Sequence, residues 1–291
     1  MITPYLIHLG IIIGIYMILA VSLNLALGYT GLLNLGHIAF FGIGAYTSTL
    51  LIKNLDLPFI LAFFAAGILA SLFGLLLVAA TKKLKGDYLA LATLGFSFVI
   101  TSLMLNWQSL TRGPLGIPGI PKPTILGISI QSASAYFIFV LLITAISIFI
   151  IYRIVSSPFG RLLQASRDDT LGLKVLGKDT FKLQAKTMMV SAFFAGIAGS
   201  LFAHYISFID PSSFGLSEII LLLTIVIAGG IASLKGSILA TIIIILIPEA
   251  LRFLALPSTV LGPLRQILYA IILLLILYLK PKGIWGRIDL N

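Results

Sequence analysis

The chain has 291 residues, of which 59% are hydrophobic and 10% charged, with no cysteine and a formal net charge of +10 at pH 7. No Lys, Arg, Asp or Glu occurs from Met1 to Ile52, which excludes a soluble globular domain, because so much apolar surface could not be left without charge in water. The lack of cysteine excludes disulfides, thiolate metal sites and thiol redox chemistry, and the basic balance points to membrane-flanking loops rather than to nucleic acid.

A helix rises about 1.5 Å per residue, so crossing a hydrocarbon core about 30 Å thick takes about 20 apolar residues. The apolar runs predict an all-α polytopic integral membrane protein of roughly eight to ten transmembrane helices, in a single transmembrane domain over 1–291. They are continuous rather than alternating, which rejects a transmembrane β-barrel. The first run has no basic n-region and is too long for an h-region, so it is not a secretory signal.

The first two spans are 5–27 and 35–52. Gly10 and Gly14 form a G-x-x-x-G pair, which permits close helix approach in lipid. Gly28-Tyr29-Thr30-Gly31 interrupts the run, flanked by Asn24, Asn34 and His37. A broken helix is tolerated only where protein or a water-filled cavity covers its backbone. The flanking side chains therefore either brace the freed backbone or contact a transport pathway.

Spans follow at 59–80 and 87–106, and then the long external segment 107–134. Its TRGPLGIPGIPKP stretch is too rich in Gly and Pro for a persistent helix. It is either an ordered, semi-extended docking platform or a flexible connector. A span at 135–152 leads into 153–186, where 34 residues hold ten charges.

Within that segment, Gly172 to Lys178 matches G-x-x-x-x-G-K, the start of a phosphate-binding loop. The next residue should be Ser or Thr and is Asp179, which would set a carboxylate beside the phosphates. No α/β domain fits between two spans, so nucleotide binding is rejected. No catalytic cluster is seen: His8, His37 and His204 lack metal-like spacing, and the adjacent Asp168 and Asp169 diverge on a helix.

Ser157 is the expected N-cap with Pro158 at the first helical position. A helical projection puts Leu162, Ala165, Leu173 and Leu176 on one side and Arg161, Gln164 and Asp168 on another. Asp169 and Gly172 interrupt the apolar side, predicting two short helices, and Asp179-Thr180 caps the helix that follows. A solvated basic loop explains the charges; a docking element for a partner protein also explains the apolar side and Gly177.

The last spans are 187–207, 217–234, 237–254 and 264–279. Ala192, Gly196 and Ser200 recur every four residues and His204 continues the stripe, as expected of helix packing or of a pathway lining. Glu218 and Glu249 fall near external helix ends, there to meet a partner or be solvated. Placing loop 81–86 inside and alternating gives fourteen Lys and Arg inside, including Arg287. Five lie outside: Lys53, Arg112, Lys122, Arg252 and Arg265. That bias puts 153–186 and the C-terminus in the cytoplasm.

Six stretches form a familiar set: SLNLALGYTGLLNLGHIAFFGIGAYTSTLL (22–51), GDYLALATLGFSFVI (86–100), LTRGPLGIPGI (110–120), SPFGRLLQASRDDTLGLKVLGKDTFKLQAKTMMVSAFFAGIAGSLFAHYISFIDPSSF (157–214), IVIAGGIASLKGSILATIIIILIPEALRF (225–253) and LKPKGIWGR (279–287). In this order, over nearly the whole chain, they resemble the branched-chain amino acid ABC-transporter permeases, specifically the LivM-like subunit. The resemblance implies a non-enzymatic chain without a cofactor of its own, in a bacterial or archaeal inner membrane. It implies a LivH-like second permease or a homodimer, two cytoplasmic ATPase subunits that bind ATP and Mg, and an extracytoplasmic binding protein. Segment 157–179 corresponds to the coupling loop, carried over as Gly160, Arg161, Ala165, Arg167, Asp168, Asp169 and Gly177. Family loops often continue with Ala-rich residues where this chain has Thr170-Leu171-Gly172-Leu173-Lys174, so its docking surface is expected to be tuned to its own ATPase. A urea or amide importer and a self-contained secondary transporter stay open as alternatives. The latter needs membrane-embedded ionisable residues, of which the sequence offers few.

Overall fold

The computed structural model describes residues 2–125, 128–249, 258–280 and 282–286. Arg252, Arg287 and the end of the expected span 237–254 lie outside the described residues. The chain is an all-α, multi-pass membrane protein, with eight described helices long and apolar enough to cross a bilayer. Helices dominate because lipid offers backbone groups no partner, and a helix satisfies them within one segment.

In order, α1 (Ile2–Asn24) continues as a π-helical turn, Leu25–Tyr29, and is followed by α2 (His37–Leu55), α3 (Phe59–Ala80) and α4 (Gly86–Asn106). The one-turn α5 (Gln108–Thr111) and α6 (Ala133–Ser156) lead to two short helices, α7 (Pro158–Asp168) and α8 (Thr170–Val175). The chain closes with α9 (Thr180–Ile206), α10 (Leu216–Gly229), α11 (Leu234–Glu249) and α12 (Ser258–Leu279). The expected span 237–254 begins as α11, whose described part is 16 residues. Helix α9 starts seven residues before the expected 187, because the Asp179 cap launches it ahead of its apolar section.

Helix α9 packs against α3 and α2, while α1 packs against α6, α9 and α11. Lipid tails are as apolar as leucine, so helices associate through close dispersion contacts and a few hydrogen bonds. Gly44 lies directly against the backbone of Gly196, and Gly199 against Phe41. A Cβ placed on Gly196 would stand 2.6 Å from both Ala66 O and Ala70 Cβ. Gly10 faces Phe137 and Gly14 faces Val140 on α6, where Thr144 Oγ1 donates to Gly14 O at 3.1 Å.

The described residues of segment 107–134 form an ordered strap over the end of the bundle remote from α7 and α8. Its β1 (Ile117–Pro118) pairs antiparallel with β4 (Phe208–Ile209), and β2 (Thr124–Ile125) pairs with β3 (Ile128–Ser129). Ile120 N donates to Ser207 O at 3.2 Å, His204 Nδ1 meets Pro121 O at 2.7 Å, and Ile117 and Ile120 are buried. The described residues thus rule out the flexible connector. Helical structure in the Gly/Pro-rich stretch does not exceed one turn, a 3-10 segment at Gly113–Leu115.

Candidate functional site

The charged segment is built by its caps. Ser157 Oγ accepts from Gly160 N at 3.4 Å and Pro158 opens α7. Asp169 leaves the helix in an extended conformation, and its Oδ1 accepts from Leu171 N and Gly172 N at 2.9 Å each, starting α8. Asp179 Oδ1 accepts from Lys182 N at 3.1 Å to start α9. That bond, with the nearby Lys182 ammonium, holds the Asp179 carboxyl below its ordinary value.

The phase reset at Asp169 corrects the expected apolar side. Helix α7 buries Gly160, Leu163 and Ser166, and α8 buries Leu173, whereas Ala165 faces outward and Leu176 is 75% exposed. Fully burying Leu163 contributes about 2 kcal/mol to docking α7 on the bundle. Leu171, Val175 and Leu176 remain exposed as an apolar knob on and just after α8. Arg161 and Asp168 are also exposed, and Gly160 sits against the Val155 backbone.

Gly177 has φ +72°, with nothing within 4 Å of where a Cβ would lie. Only backbone strain opposes substitution there, so Gly177→Val should destabilise the purified protein by about 1 kcal/mol or more, while Gly177→Asn loses less. Thermal melting in detergent tests this, and equal midpoints for all three would refute the left-handed requirement.

Arg167 joins this segment to the transmembrane helices. Its Nη1 donates to Gly28 O at 2.7 Å, its stem packs on Gly31, and its other face pairs with Asp168 at 2.8 Å. The break expected over Gly28–Gly31 falls at the last of these residues. The helix widens into the π-turn before it and leaves its axis at Gly31, φ +69°, where Leu32 N reaches back to Ala26 O at 3.1 Å and closes the helix end. Such turns occur often at functional sites.

The other break residues are fully enclosed. Asn24 Nδ2 lies 3.3 Å from Gly230 O, 3.1 Å from Ser233 O and 2.7 Å from Ser237 Oγ, and its Oδ1 accepts from Ala232 N at 3.0 Å. One side chain thereby holds the α10–α11 turn. His37 Nε2 meets Ser22 Oγ at 3.0 Å, and Asn34 Oδ1 accepts from Gly36 N at 3.1 Å. The C-terminal turn closes the same junction, with Ile284 N donating to Ala228 O and Trp285 N to Gly229 O. Nothing local in the sequence announced that contact. A continuous path therefore runs from α7 through Arg167, the π-turn and Asn24 to the α10–α11 turn.

In the small-residue stripe, Ala192 faces Gly74, Gly196 lies between α2 and α3, and Ser200 is buried with no partner for its hydroxyl. Glu218 and Glu249 are not solvated ends. Tyr16 donates to Glu218, Tyr5 donates to Glu249, and Arg265 of α12 pairs with Glu249 at 3.2 Å. The available signal was two acids in helices that hold one other charge between them, Lys235 at the start of α11. Among the described residues no three His, Asp or Glu side chains come together as a metal site.

Residues 5–277 match the family described as branched-chain amino acid transport system / permease component. The chain is 36% identical over 261 residues to "High-affinity branched-chain amino acid transport system permease protein LivM" of Escherichia coli (strain K12), covering 82% of this chain and 61% of that relative. It is 28% identical to "Probable branched-chain amino acid transport permease protein LivM" of Methanocaldococcus jannaschii, covering 93% and 90%. It is 25% identical to the LivH permease of Salmonella typhimurium, covering 96% and 94%. It thus spans about 61% of the length of the enterobacterial LivM relatives. No solved structure matches it.

Proposed function

The chain belongs to the branched-chain amino acid transport permease family, and from that premise we propose that it is the LivM-like permease subunit of an ATP-binding-cassette importer for apolar amino acids. A LivH-like chain or a second copy completes the pathway, and an extracytoplasmic binding protein delivers substrate. Two ATPase subunits, holding ATP and Mg, dock on α7 and α8 at the cytoplasmic side, where the C-terminus also lies. The chain itself catalyses nothing; it transmits movement.

The bond from Arg167 to Gly28 O carries this reading. The apolar knob of Leu171, Val175 and Leu176 offers a partner surface, and the rigid, double-capped α7–α8 pair turns a push on that surface into displacement of Arg167. The π-turn is the softest point of α1, since its hydrogen bonding is already irregular. Asn24 ties it to the α10–α11 turn, so a shift at α7 reaches two transmembrane helices beyond α1.

Arg167→Ala should leave ATPase assembly and hydrolysis in place but lower leucine uptake per ATP by roughly tenfold, within the usual range of coupling energies. Arg167→Lys, which keeps a charge but loses the planar fork, should fall between. Proteoliposomes of the full assembly give both rates. Unchanged uptake per ATP in Arg167→Ala would sink the transmission role, and leucine uptake by this chain without any ATPase would sink the importer reading.

A further inference from the structure

Remote from α7 and α8, a cavity of about 300 Å³ opens between α1, α10, α11 and α12. It collects Glu218 from α10, Glu249 from α11 and Arg265 from α12, with Tyr16 of α1 donating to Glu218. Three formal charges converge from three helices that are otherwise nearly uncharged. Ionisable groups inside membrane helices are expensive and face one another or a water-filled space.

The groups are not used up by one another. Arg265 gives Nη2 to Glu249 at 3.2 Å, but its Nε is buried without a hydrogen-bond partner. A guanidinium has five N–H donors in a fork that matches a carboxylate. Glu218 accepts from Tyr16, and a carboxylate has about four acceptor sites, so it can take an ammonium as well. Leu9, Ile12, Leu221 and Ile245 line the same space and offer an apolar wall. Among the described residues the cavity presents both a cationic and an anionic group, which gives each end of a zwitterion a partner of opposite sign. A molecule bearing both a carboxylate and an ammonium beside an aliphatic side chain satisfies all three features.

We propose that this cavity is an internal binding site for a zwitterionic apolar α-amino acid, with its carboxylate on Arg265, its ammonium on Glu218 and its side chain against Leu9, Ile12, Leu221 and Ile245. The inference rests on the permease reading above and deepens it. The membrane subunit then recognises the amino acid backbone itself, after release from the binding protein. Deamino or amidated analogues are rejected here because each leaves one buried charge unmatched.

The test uses the assembled importer in nanodiscs without the binding protein and labelled L-leucine as the probe. Leucinamide, lacking the carboxylate, and 4-methylpentanoate, lacking the ammonium, serve as competitors. The wild type should bind leucine saturably and ignore both analogues. Arg265→Gln should weaken leucine at least tenfold and lose its preference for leucine over leucinamide; Glu218→Gln should do the same for 4-methylpentanoate. These opposite selectivity changes separate recognition from misfolding, which would lower binding of every compound alike, and melting curves check each variant. Saturable leucine binding unchanged in both variants, uniform loss without change of selectivity, or no binding by a wild type that still imports leucine when the binding protein is restored would overturn the proposal while leaving the permease reading intact. Failure of the complete assembly to import any amino acid would instead remove the permease reading.

Discussion

Replacing Gly196 by leucine is expected to abolish the folded bundle. A Cβ there meets Ala66 O and Ala70 Cβ at 2.6 Å on α3, and on the other side Gly44 of α2 already touches the Gly196 backbone. Overpacking a core by a few methylenes typically costs 1–3 kcal/mol and occasionally more. Here the upper end applies, roughly 3 kcal/mol or above, because the obstructing atoms are backbone and β-carbons that have no other rotamer to adopt. Lipid adds no hydrophobic drive that could offset the lost helix contact. Gly95→Ala is the control: it too is a helical glycine, but nothing lies within 4 Å of the added carbon, and removing a helical glycine should leave stability unchanged or raise it by about 0.5–1 kcal/mol. Yield and monodispersity in detergent, with thermal midpoints, decide the case. A well-folded Gly196→Leu protein with the wild-type midpoint would mean that the three helices are not packed as described.

The second large effect concerns Asn24. Substituting leucine, close in shape, removes the only donors offered by that side chain to Gly230 O, Ser233 O and Ser237 Oγ and leaves the Ala232 N–H without its acceptor. A buried group left unsatisfied costs about 1–3 kcal/mol, so Asn24→Leu should lose roughly 2–4 kcal/mol in all. Asn24→Asp keeps the acceptor for Ala232 N but removes the donors, and should lose stability as well. The pattern separates the two roles open to this residue. A brace loses stability and transport together, whereas a pathway contact loses transport with the melting midpoint intact. The second outcome would show that the hydrogen bonds to the α10–α11 turn are incidental.

Local physics made much of the architecture legible. Each apolar run long enough to cross a bilayer could be counted, and Ser157 and Asp179 marked helix starts because short polar side chains satisfy freed backbone N–H groups. The split of the charged segment into two helices followed from Asp169 and Gly172, which interrupt its apolar side. Its buried side did not, because the projection ran one continuous helix through Asp169, while the extended backbone there turns α8 relative to α7. The break expected over Gly28–Gly31 is made at Gly31, whose positive φ ends the helix. The wider turn that precedes it, and that Arg167 then uses, carries no such local mark.

What the sequence by itself determined is the class of the molecule and its local punctuation: an all-α membrane protein, its caps and its concentration of charge at one segment. These depend on composition and on neighbours within a turn or two. Only the tertiary structure decided which polar groups meet. Asn24 reaches its acceptor at Gly230 across 206 positions, Arg167 reaches Gly28 across 139, and Tyr16 reaches Glu218 across 202. No periodicity records such pairs. They are selected when helices pack, because a polar group enclosed by lipid-facing helices must find whatever partner the assembled bundle brings to it.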